Sequence, residues 1–301
     1  MRGLSLSFAL LAASSTAAAA SCAKGLYMVV ARGSEEPAGT GVTGNLTSQI
    51  AAKVPNSQVV AVDYPATLRD YESSEGKGVQ AMQKLVNDYG QACPGSKIAI
   101  LGYSQGAQVS SDSVCGGAGS PFIEDKALSD EVMDGVVAVA IFGDPTHVAN
   151  LTYDRGTSVR NGIFNRTADS LAVCKSHASR IISYCDTGDI YCDGGSNVTV
   201  HHLYIERYGN EIVDFVVSQY EKAASTASTT ASPASAPTSG STSNNNSTST
   251  STSTSTSTSP TKTGSPSVTP TSGANALAPA ASSLIFGAGL LAVLTTMSQM
   301  L

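Results

Sequence analysis

Short apolar runs alternate with amphipathic stretches through the middle of the chain, between residues 21 and 222. The apolar runs are rich in valine, isoleucine and alanine, which is typical of strands buried on both faces of a parallel sheet. The stretches between them carry apolar residues at intervals of three and four, the spacing of an amphipathic helix. The predicted strands cover residues 25–31, 58–64, a run from 97, 136–142 and 180–184, and the predicted helices cover 43–54, 75–92, a stretch from 107 and 210–220.

Strands that alternate with helices predict a mostly parallel sheet covered on both faces, with right-handed crossovers. The expected fold class is therefore α/β, a three-layer α/β/α sandwich. Residues 21–222 have a normal length for one domain with a sizeable core. Ligands of such sheets bind beyond the carboxyl ends of the strands, so we expect the functional residues in the loops that follow the strands.

The two ends of the chain differ from this domain in composition. Residues 1–20 hold one basic residue, a short apolar run and four closing alanines, the marks of a secretory signal peptide. Residues 223–273 are dominated by serine and threonine and predict an O-glycosylated stalk or, alternatively, an unmodified linker. Residues 274–301 begin with mostly small residues and end in an apolar tail, which predicts a GPI-anchor signal. A weak tail anchor and a hydrophobic end without a role are the alternatives.

Charge and cysteine usage narrow the possible functions. The net charge is −6 and the basic residues form no cluster, so nothing supplies the phosphate contacts that nucleic-acid binding needs. All six cysteines lie in the predicted domain, and secretion keeps them oxidised, so three disulfides are expected. Histidine is scarce, and Cys185 and Cys192 are too far apart for a C-x-x-C half-site, so no metal or other cofactor is expected. A glycosylated surface fits the four sequons at Asn45, Asn150, Asn165 and Asn197.

The run from Lys97 leads into a G-x-S-x-G pattern at residues 102–106, followed by an acceptable first helical turn. Between a strand and a helix, its two glycines permit the sharp, strained turn that lifts a serine hydroxyl above the sheet edge. The alternative is an ordinary glycine-rich turn whose serine caps a helix. The pattern makes Ser104 a candidate nucleophile if the chain also supplies a base and an acid.

A serine hydroxyl becomes nucleophilic when a histidine accepts its proton and a carboxylate orients that histidine. In α/β-hydrolases the acid and then the histidine follow the serine along the chain. Asp189 lies in a loop just after a predicted strand, and His201 and His202 precede the last predicted helix. Ser104, Asp189 and His201 therefore have the required order.

At this point the residues resemble the cutinases and the acetylxylan esterases grouped with them, over the whole predicted domain. The motifs that carry the resemblance are A-R-G-S (31–34), G-Y-S-Q-G-A-Q (102–108), C-G-G (115–117), F-G-D-P (142–145), S-Y-C-D-T-G-D-x-x-C (183–192) and H-x-x-Y (201–204). The resemblance implies a small, lidless α/β-hydrolase fold. It also implies that Ser104 is the nucleophile, His201 the general base and acid, and Asp189 its orienting partner.

The same resemblance implies further features of the site. Ser34 and Gln105 would form the oxyanion hole. The implied disulfides are Cys22–Cys93 and Cys185–Cys192, which leaves Cys115 with Cys174. His202 beside His201 departs from the family pattern, and the position of Tyr204 favours His201 as the base. His202 is then expected at the rim, and His147 and His177 are expected to be non-catalytic loop residues.

The function expected from these observations is that of an extracellular serine esterase, held at the cell surface by its GPI anchor and monomeric. Several motifs lie closer to the acetylxylan esterases, so acetylated xylan or another short-acyl ester of plant cell-wall polymers is the expected substrate. A cutinase that acts on the polyester cutin is one alternative. The other is a non-catalytic structural or adhesive protein on a glycosylated stalk.

Overall fold

A computed structural model describes residues 21–122 and 126–230. The strands of this part are β1 (Leu26–Ala31), β2 (Gln58–Ala61), β3 (Lys97–Tyr103), β4 (Val136–Phe142), β5 (Asp154–Arg155) and β6 (Ile181–Tyr184). Its helices are α1 (Gly44–Lys53), α2 (Tyr71–Ala92), α3 (Gln105–Cys115), α4 (Asp130–Met133), α5 (Ala168–Ser176), α6 (Val198–His201) and α7 (Tyr204–Thr230). None of these helices is long and apolar enough to cross a membrane.

The strands form one six-stranded sheet in the order β2-β1-β3-β4-β6-β5, and every neighbouring pair is parallel. From β1 the chain moves outward to β2, and from β3 it moves outward in the opposite direction. The strand order therefore reverses between β1 and β3, which is where open α/β sheets bind ligands. The loop after β1 leads to α1 on one face of the sheet, and the turn after β3 leads to α3 on the other face.

Alternate residues of the strands pack into two apolar layers. In β1, Met28 and Val30 face Leu46 of α1 and Val216 of α7. Val29 and Ala31 face the opposite layer, which Met82 and Val86 of α2 and Val109 of α3 complete. Full burial of such a side chain contributes about 1.5–3 kcal/mol, so both layers hold the sheet in place. The predicted three-layer α/β/α sandwich is confirmed.

Three elements differ in length from the sequence prediction. β2 ends at Ala61 rather than at residue 64, because the chain turns there to carry the Tyr64 hydroxyl onto the Arg32 carbonyl oxygen. α2 begins at Tyr71 rather than at residue 75. α7 begins at Tyr204 rather than at 210 and continues past Lys222 to Thr230. Because glycine is unfavourable inside a helix, Gly209 argues in the sequence against a helix that begins before it. A Cβ at this position would lie 3.2 Å from Leu46 Cδ2, so the glycine allows α7 to pack closely on α1.

The three disulfides pair Cys22 with Cys93, Cys115 with Cys174, and Cys185 with Cys192. The predicted pairing is confirmed. The first disulfide joins the chain before β1 to the end of α2, and the second joins α3 to α5. The third closes the short loop after β6 that contains Asp189.

A buried polar network lies beneath α3. The Arg166 guanidinium lies 2.8 Å from Asp112 Oδ1, and both side chains are almost fully buried. Arg166 also donates to the hydroxyls of Ser111 and Thr146. Thr146 in turn donates to Asp144. The network borders a cavity of about 20 Å³, which has room for about one water molecule.

Candidate active site

Ser104 lies in the turn between β3 and α3, with φ 55° and ψ −121°. This conformation is rare for a residue with a Cβ and costs about 1–3 kcal/mol. A hydrogen bond from Ser104 N to the Phe142 carbonyl oxygen helps to hold it. A Cβ at Gly102 would lie 2.1 Å from the Gly106 carbonyl oxygen, and one at Gly106 would lie 2.2 Å from that of Ala31. The strained φ thus falls on the serine, and the glycines let strand and helix approach closely.

The turn brings the serine hydroxyl to a histidine from a distant part of the chain. His201 Nε2 lies 2.8 Å from Ser104 Oγ, and His201 Nδ1 lies 2.8 Å from Asp189 Oδ2. His201 ends α6, and Asp189 lies in the loop after β6. Ser104, His201 and Asp189 therefore form one continuous hydrogen-bonded chain. This geometry allows the imidazole to accept the serine proton while the carboxylate fixes the ring.

Asp189 is fully buried and receives hydrogen bonds on both oxygens. Oδ1 accepts the backbone N–H groups of Tyr191 and Cys192, at 2.7 and 3.1 Å. Oδ2 accepts the Tyr204 hydroxyl at 2.8 Å in addition to His201. Burial acts to raise the pKa of Asp189, but these hydrogen bonds, first that of His201, hold the pKa below its ordinary value. The carboxylate therefore stays ionised at neutral pH.

The loop that carries Asp189 is fastened on two sides. Asp186 accepts the Thr157 hydroxyl from one side, and it accepts Arg207 and Tyr208 of α7 from the other. The Cys185–Cys192 disulfide closes the same loop. A carboxylate held in this way keeps its orientation toward His201 without relying on His201 itself.

The two residues expected to form an oxyanion hole follow neighbouring strands, Ser34 after β1 and Gln105 after β3. The Ser34 hydroxyl oxygen is buried and has no hydrogen-bond partner within the described residues. Gln105 is the first residue of α3, so its N–H has no partner inside the helix. The Gln105 side chain is occupied elsewhere, because it donates to the Thr67 carbonyl oxygen and accepts the Ser74 hydroxyl. A backbone N–H and a free hydroxyl thus remain as donors on this side of Ser104.

The other three histidines are not members of the hydrogen-bonded chain, although the His202 ring lies 5.9 Å from that of His201. His202 is exposed, and its Nδ1 lies 3.1 Å from the Tyr103 hydroxyl. His147 is a buried residue of the loop between β4 and β5, and its Nδ1 lies 3.9 Å from Asp154 Oδ1. His177 follows the last residue of α5. Within the described residues, no group of three metal-binding side chains that could hold an ion occurs.

Sequence reasoning did not find every group that contacts the chain of Ser104, His201 and Asp189. In the sequence, Tyr204 only favours His201 over His202 as the base, although its hydroxyl contacts Asp189 directly. Tyr191 packs edge-on against His201, with 4.5 Å between ring centroids. Both residues stand within motifs that the sequence displays, but a motif does not state where a side chain points.

The chain is similar to known proteins in both sequence and fold. The sequence model of the cutinase family matches residues 22–220. Acetylxylan esterase 2 of Talaromyces purpureogenus is 33% identical over 205 residues, which cover 64% of this chain and 86% of that protein. Cutinase 11 of Verticillium dahliae is 33% identical over 197 residues, which cover 62% of this chain and 66% of that protein.

The fold has a close counterpart among solved structures. The catalytic core domain of acetyl xylan esterase from Trichoderma reesei matches with a TM-score of 0.61 and 30% identity. The match covers 66% of this chain and 100% of that domain. Since the family match spans the whole folded domain, the chain belongs to the cutinase family and is a carboxylic ester hydrolase.

Proposed function

We propose that this protein is a secreted serine esterase that removes short acyl groups, above all acetyl, from acetylated xylan or related esters of plant cell-wall polymers. The observation that carries the proposal is the unbroken hydrogen-bonded chain from Ser104 through His201 to Asp189, with 2.8 Å at each step. No cofactor enters the reaction that these residues support.

In the first half-reaction, Ser104 Oγ attacks the ester carbonyl carbon while His201 Nε2 accepts the hydroxyl proton. The carbonyl oxygen becomes an oxyanion, which the Gln105 N–H and the Ser34 hydroxyl stabilise. One such donor is typically worth about 3–4 kcal/mol in the transition state. As the tetrahedral intermediate collapses, the C–O bond to the alcohol breaks and the imidazolium gives its proton to the departing oxygen. An acyl-serine remains.

The second half-reaction releases the acid. A water molecule gives a proton to His201 Nε2 and attacks the acyl carbon, and the oxyanion forms again in the same place. When the intermediate collapses, the imidazolium returns the proton to Ser104 Oγ and the carboxylic acid leaves. Throughout, Asp189 accepts the Nδ1 hydrogen bond and stabilises the imidazolium without taking the proton.

The preference for short acyl groups is supported by the side chains around His201. The Tyr191 ring, 8% exposed, lies edge-on to the imidazole, and the Tyr103 ring lies 5.1 Å from it on another side. Each methylene of an acyl chain gains about 0.8 kcal/mol only if it is buried in an apolar groove. Bulky rings next to the base leave little room for such a groove there, which favours acetyl over long acyl groups.

The test compares the full chain, expressed in a secretory host, with its Ser104→Ala variant on p-nitrophenyl esters. We expect kcat/KM to be highest for acetate or butyrate and to fall steeply by octanoate, and acetate to be released from acetylated xylan. Ser104→Ala should fold normally and lose activity by several orders of magnitude. Equal activity of the two proteins would refute the triad, whereas release of long-chain hydroxy acids from cutin would make this protein a cutinase with the same triad.

The proposal extends to location, which depends mainly on residues outside those that the structure describes, since only residues 223–230 of the expected stalk are described, as the end of α7. Residues 1–20 would direct secretion, residues 223–273 would form a stalk, and residues 274–301 would be exchanged for a GPI anchor. A monomeric esterase on a stalk can reach a solid polymer while it stays attached to the cell that secretes it.

A further inference from the structure

The Tyr204 hydroxyl shares one oxygen of Asp189 with the catalytic histidine. It lies 2.8 Å from Asp189 Oδ2, the same atom to which His201 Nδ1 bonds at 2.8 Å. The Tyr204 side chain is only 1% exposed and stands at the first residue of α7. Two donors therefore converge on a single carboxylate oxygen inside the protein.

The other contacts of this hydroxyl fix the direction of its proton. The Asp186 N–H donates to the Tyr204 oxygen at 3.0 Å, so that oxygen is the acceptor on this side. The third neighbour, Cys192 Sγ, is a disulfide sulfur and a much weaker acceptor than a carboxylate. Burial, followed by the charge of Asp189, raises the pKa of Tyr204, so the hydroxyl keeps its proton. Tyr204 thus donates to Asp189 at every pH at which the enzyme works.

A donor on Oδ2 has two consequences for the histidine. It draws negative charge away from the oxygen that faces His201 Nδ1, which weakens the attraction of the carboxylate for a protonated imidazole. It also prevents the carboxylate from rotating about its own bond, in concert with the two N–H groups on Oδ1. The first effect is electronic and the second is geometric, and they can be measured separately.

We propose that Tyr204 is a positioning residue of the esterase, one that holds Asp189 in place and limits the charge that Asp189 presents to His201. This inference rests on the proposed function of Ser104, His201 and Asp189. It assigns Tyr204 no contact with substrate.

The pH dependence of the site must be attributed to the right group. Besides Tyr204, the titratable side chains around Asp189 and His201 come from several elements and include Asp186 and Tyr191 of the same loop, Tyr103 of β3 and His202 after α6. Glu36, after β1, acts on Tyr103 and His202. All of these groups remain in the variants used below, so a change in the pH profile reports on the substituted tyrosine.

The experiment compares Tyr204→Phe with Tyr208→Phe in the full chain. Tyr208 stands one turn further along α7, and its hydroxyl donates to Asp186 at 2.7 Å rather than to Asp189. Both variants remove one hydroxyl group that links α7 to the Asp189 loop. Tyr204→Phe removes the donor to Asp189 and the acceptor of the Asp186 N–H, whereas Tyr208→Phe leaves the contacts of Asp189 unchanged. The measurement is the pH profile of kcat/KM on p-nitrophenyl acetate, together with kcat at the plateau.

We expect Tyr204→Phe to lower kcat several-fold and to move the acid limb of the profile upward by about half a pH unit or more, because the carboxylate then stabilises the protonated imidazole more strongly. The acid limb of Tyr208→Phe should coincide with that of the unsubstituted enzyme. An unmoved acid limb in Tyr204→Phe, or equal shifts in the two variants, would overturn the proposal. Equal activity of Ser104→Ala and the unsubstituted enzyme would instead overturn the proposed function, so the two failures are distinguishable.

A second measurement does not depend on the folding of Tyr204→Phe. In the unsubstituted protein, the Tyr204 hydroxyl proton and the His201 Nδ1 proton should both exchange slowly and point at one oxygen. NMR should therefore detect a nuclear Overhauser effect between them. If either proton exchanges rapidly, or if no such effect is found, Tyr204 does not donate to Asp189 and the proposal fails.

Discussion

The reactivity of Ser104 depends on several neighbouring residues, each of which makes a different contribution. Its own backbone carries the positive φ, while Gly102 and Gly106 only make room for the close approach of β3, α3 and β1. His201 reaches its hydroxyl from 97 residues further along the chain. Substitutions at these positions therefore have different effects. A change at Ser104 removes the nucleophile, a change at Gly102 or Gly106 disturbs the packing, and a change at His201 removes the base.

Substitution of each of the adjacent residues His201 and His202 tests which of them is the catalytic base. His201→Ala should reduce kcat/KM on p-nitrophenyl acetate about as much as Ser104→Ala, by several orders of magnitude, because nucleophile and base act as one unit. His202→Ala should have a mild effect, since His202 is exposed and contacts Tyr103 rather than Ser104 or Asp189. Thermal unfolding of both variants serves as the control for folding. A lethal His202→Ala beside a tolerated His201→Ala would reverse the assignment.

The sequence could predict the nucleophile because a strand, a turn with two glycines and a helix constrain one another locally. It could propose Asp189 and His201 from their order and from the family resemblance. It could not predict that Tyr204 contacts Asp189, because that contact depends on where α7 packs against the loop after β6. Local pattern identifies a residue, and tertiary packing decides the direction of its hydroxyl.

At the scale of elements, α3 contradicts the usual relation between polarity and exposure. Every residue from Gln105 to Cys115 is buried, although half of them are polar or charged. The pattern alone would give such a helix a solvent face. Its buried polar groups are bonded by distant partners: Arg166, from a loop more than fifty residues away, pairs with Asp112 and bonds to Ser111. The hydroxyls of Tyr71 and Ser74 of α2 donate to Gln108 and Gln105. The pattern of residues within α3 cannot indicate partners that lie so far away in the sequence.

This network predicts a pH-dependent loss of stability in Arg166→Met. Burial raises the pKa of Asp112 to about 6, although the Arg166 guanidinium opposes the shift. A carboxyl whose pKa is raised by folding destabilises the fold above that pKa, and removal of the arginine makes its ionisation costlier still. The free energy of unfolding should therefore fall by about 3–5 kcal/mol at pH 8 and by less at pH 5.

Thermal or denaturant unfolding of the full chain at the two pH values measures this difference. Lys53→Met is the matched control, because it breaks an exposed pair with Asp214 that should be worth about 0–1 kcal/mol. Equal losses for Arg166→Met at pH 5 and pH 8 would show that Asp112 does not titrate in the fold, contrary to this expectation.

Across the whole folded domain, topology explains why one edge of the sheet carries the chemistry. The reversal of strand order between β1 and β3 separates the loop that holds Ser34 from the turn that holds Ser104. The loop after β6 and the end of α6 then reach the same edge with Asp189 and His201. Apolar runs in the sequence were sufficient to predict this architecture. The two-residue strand β5 was not predictable, since so short a strand has no periodicity.

The full chain adds a prediction about where this domain is held. Small residues around 272–274, a short spacer and an apolar tail without a basic stop signal predict that the tail is replaced by a glycolipid. Phosphatidylinositol-specific phospholipase C should then release the esterase activity from intact cells of a eukaryotic secretory host. A chain that ends at residue 273 provides the control, because it lacks the signal and should enter the medium without enzyme treatment. If the full chain also enters the medium untreated, the tail is no anchor signal, and the esterase acts as a freely diffusing protein.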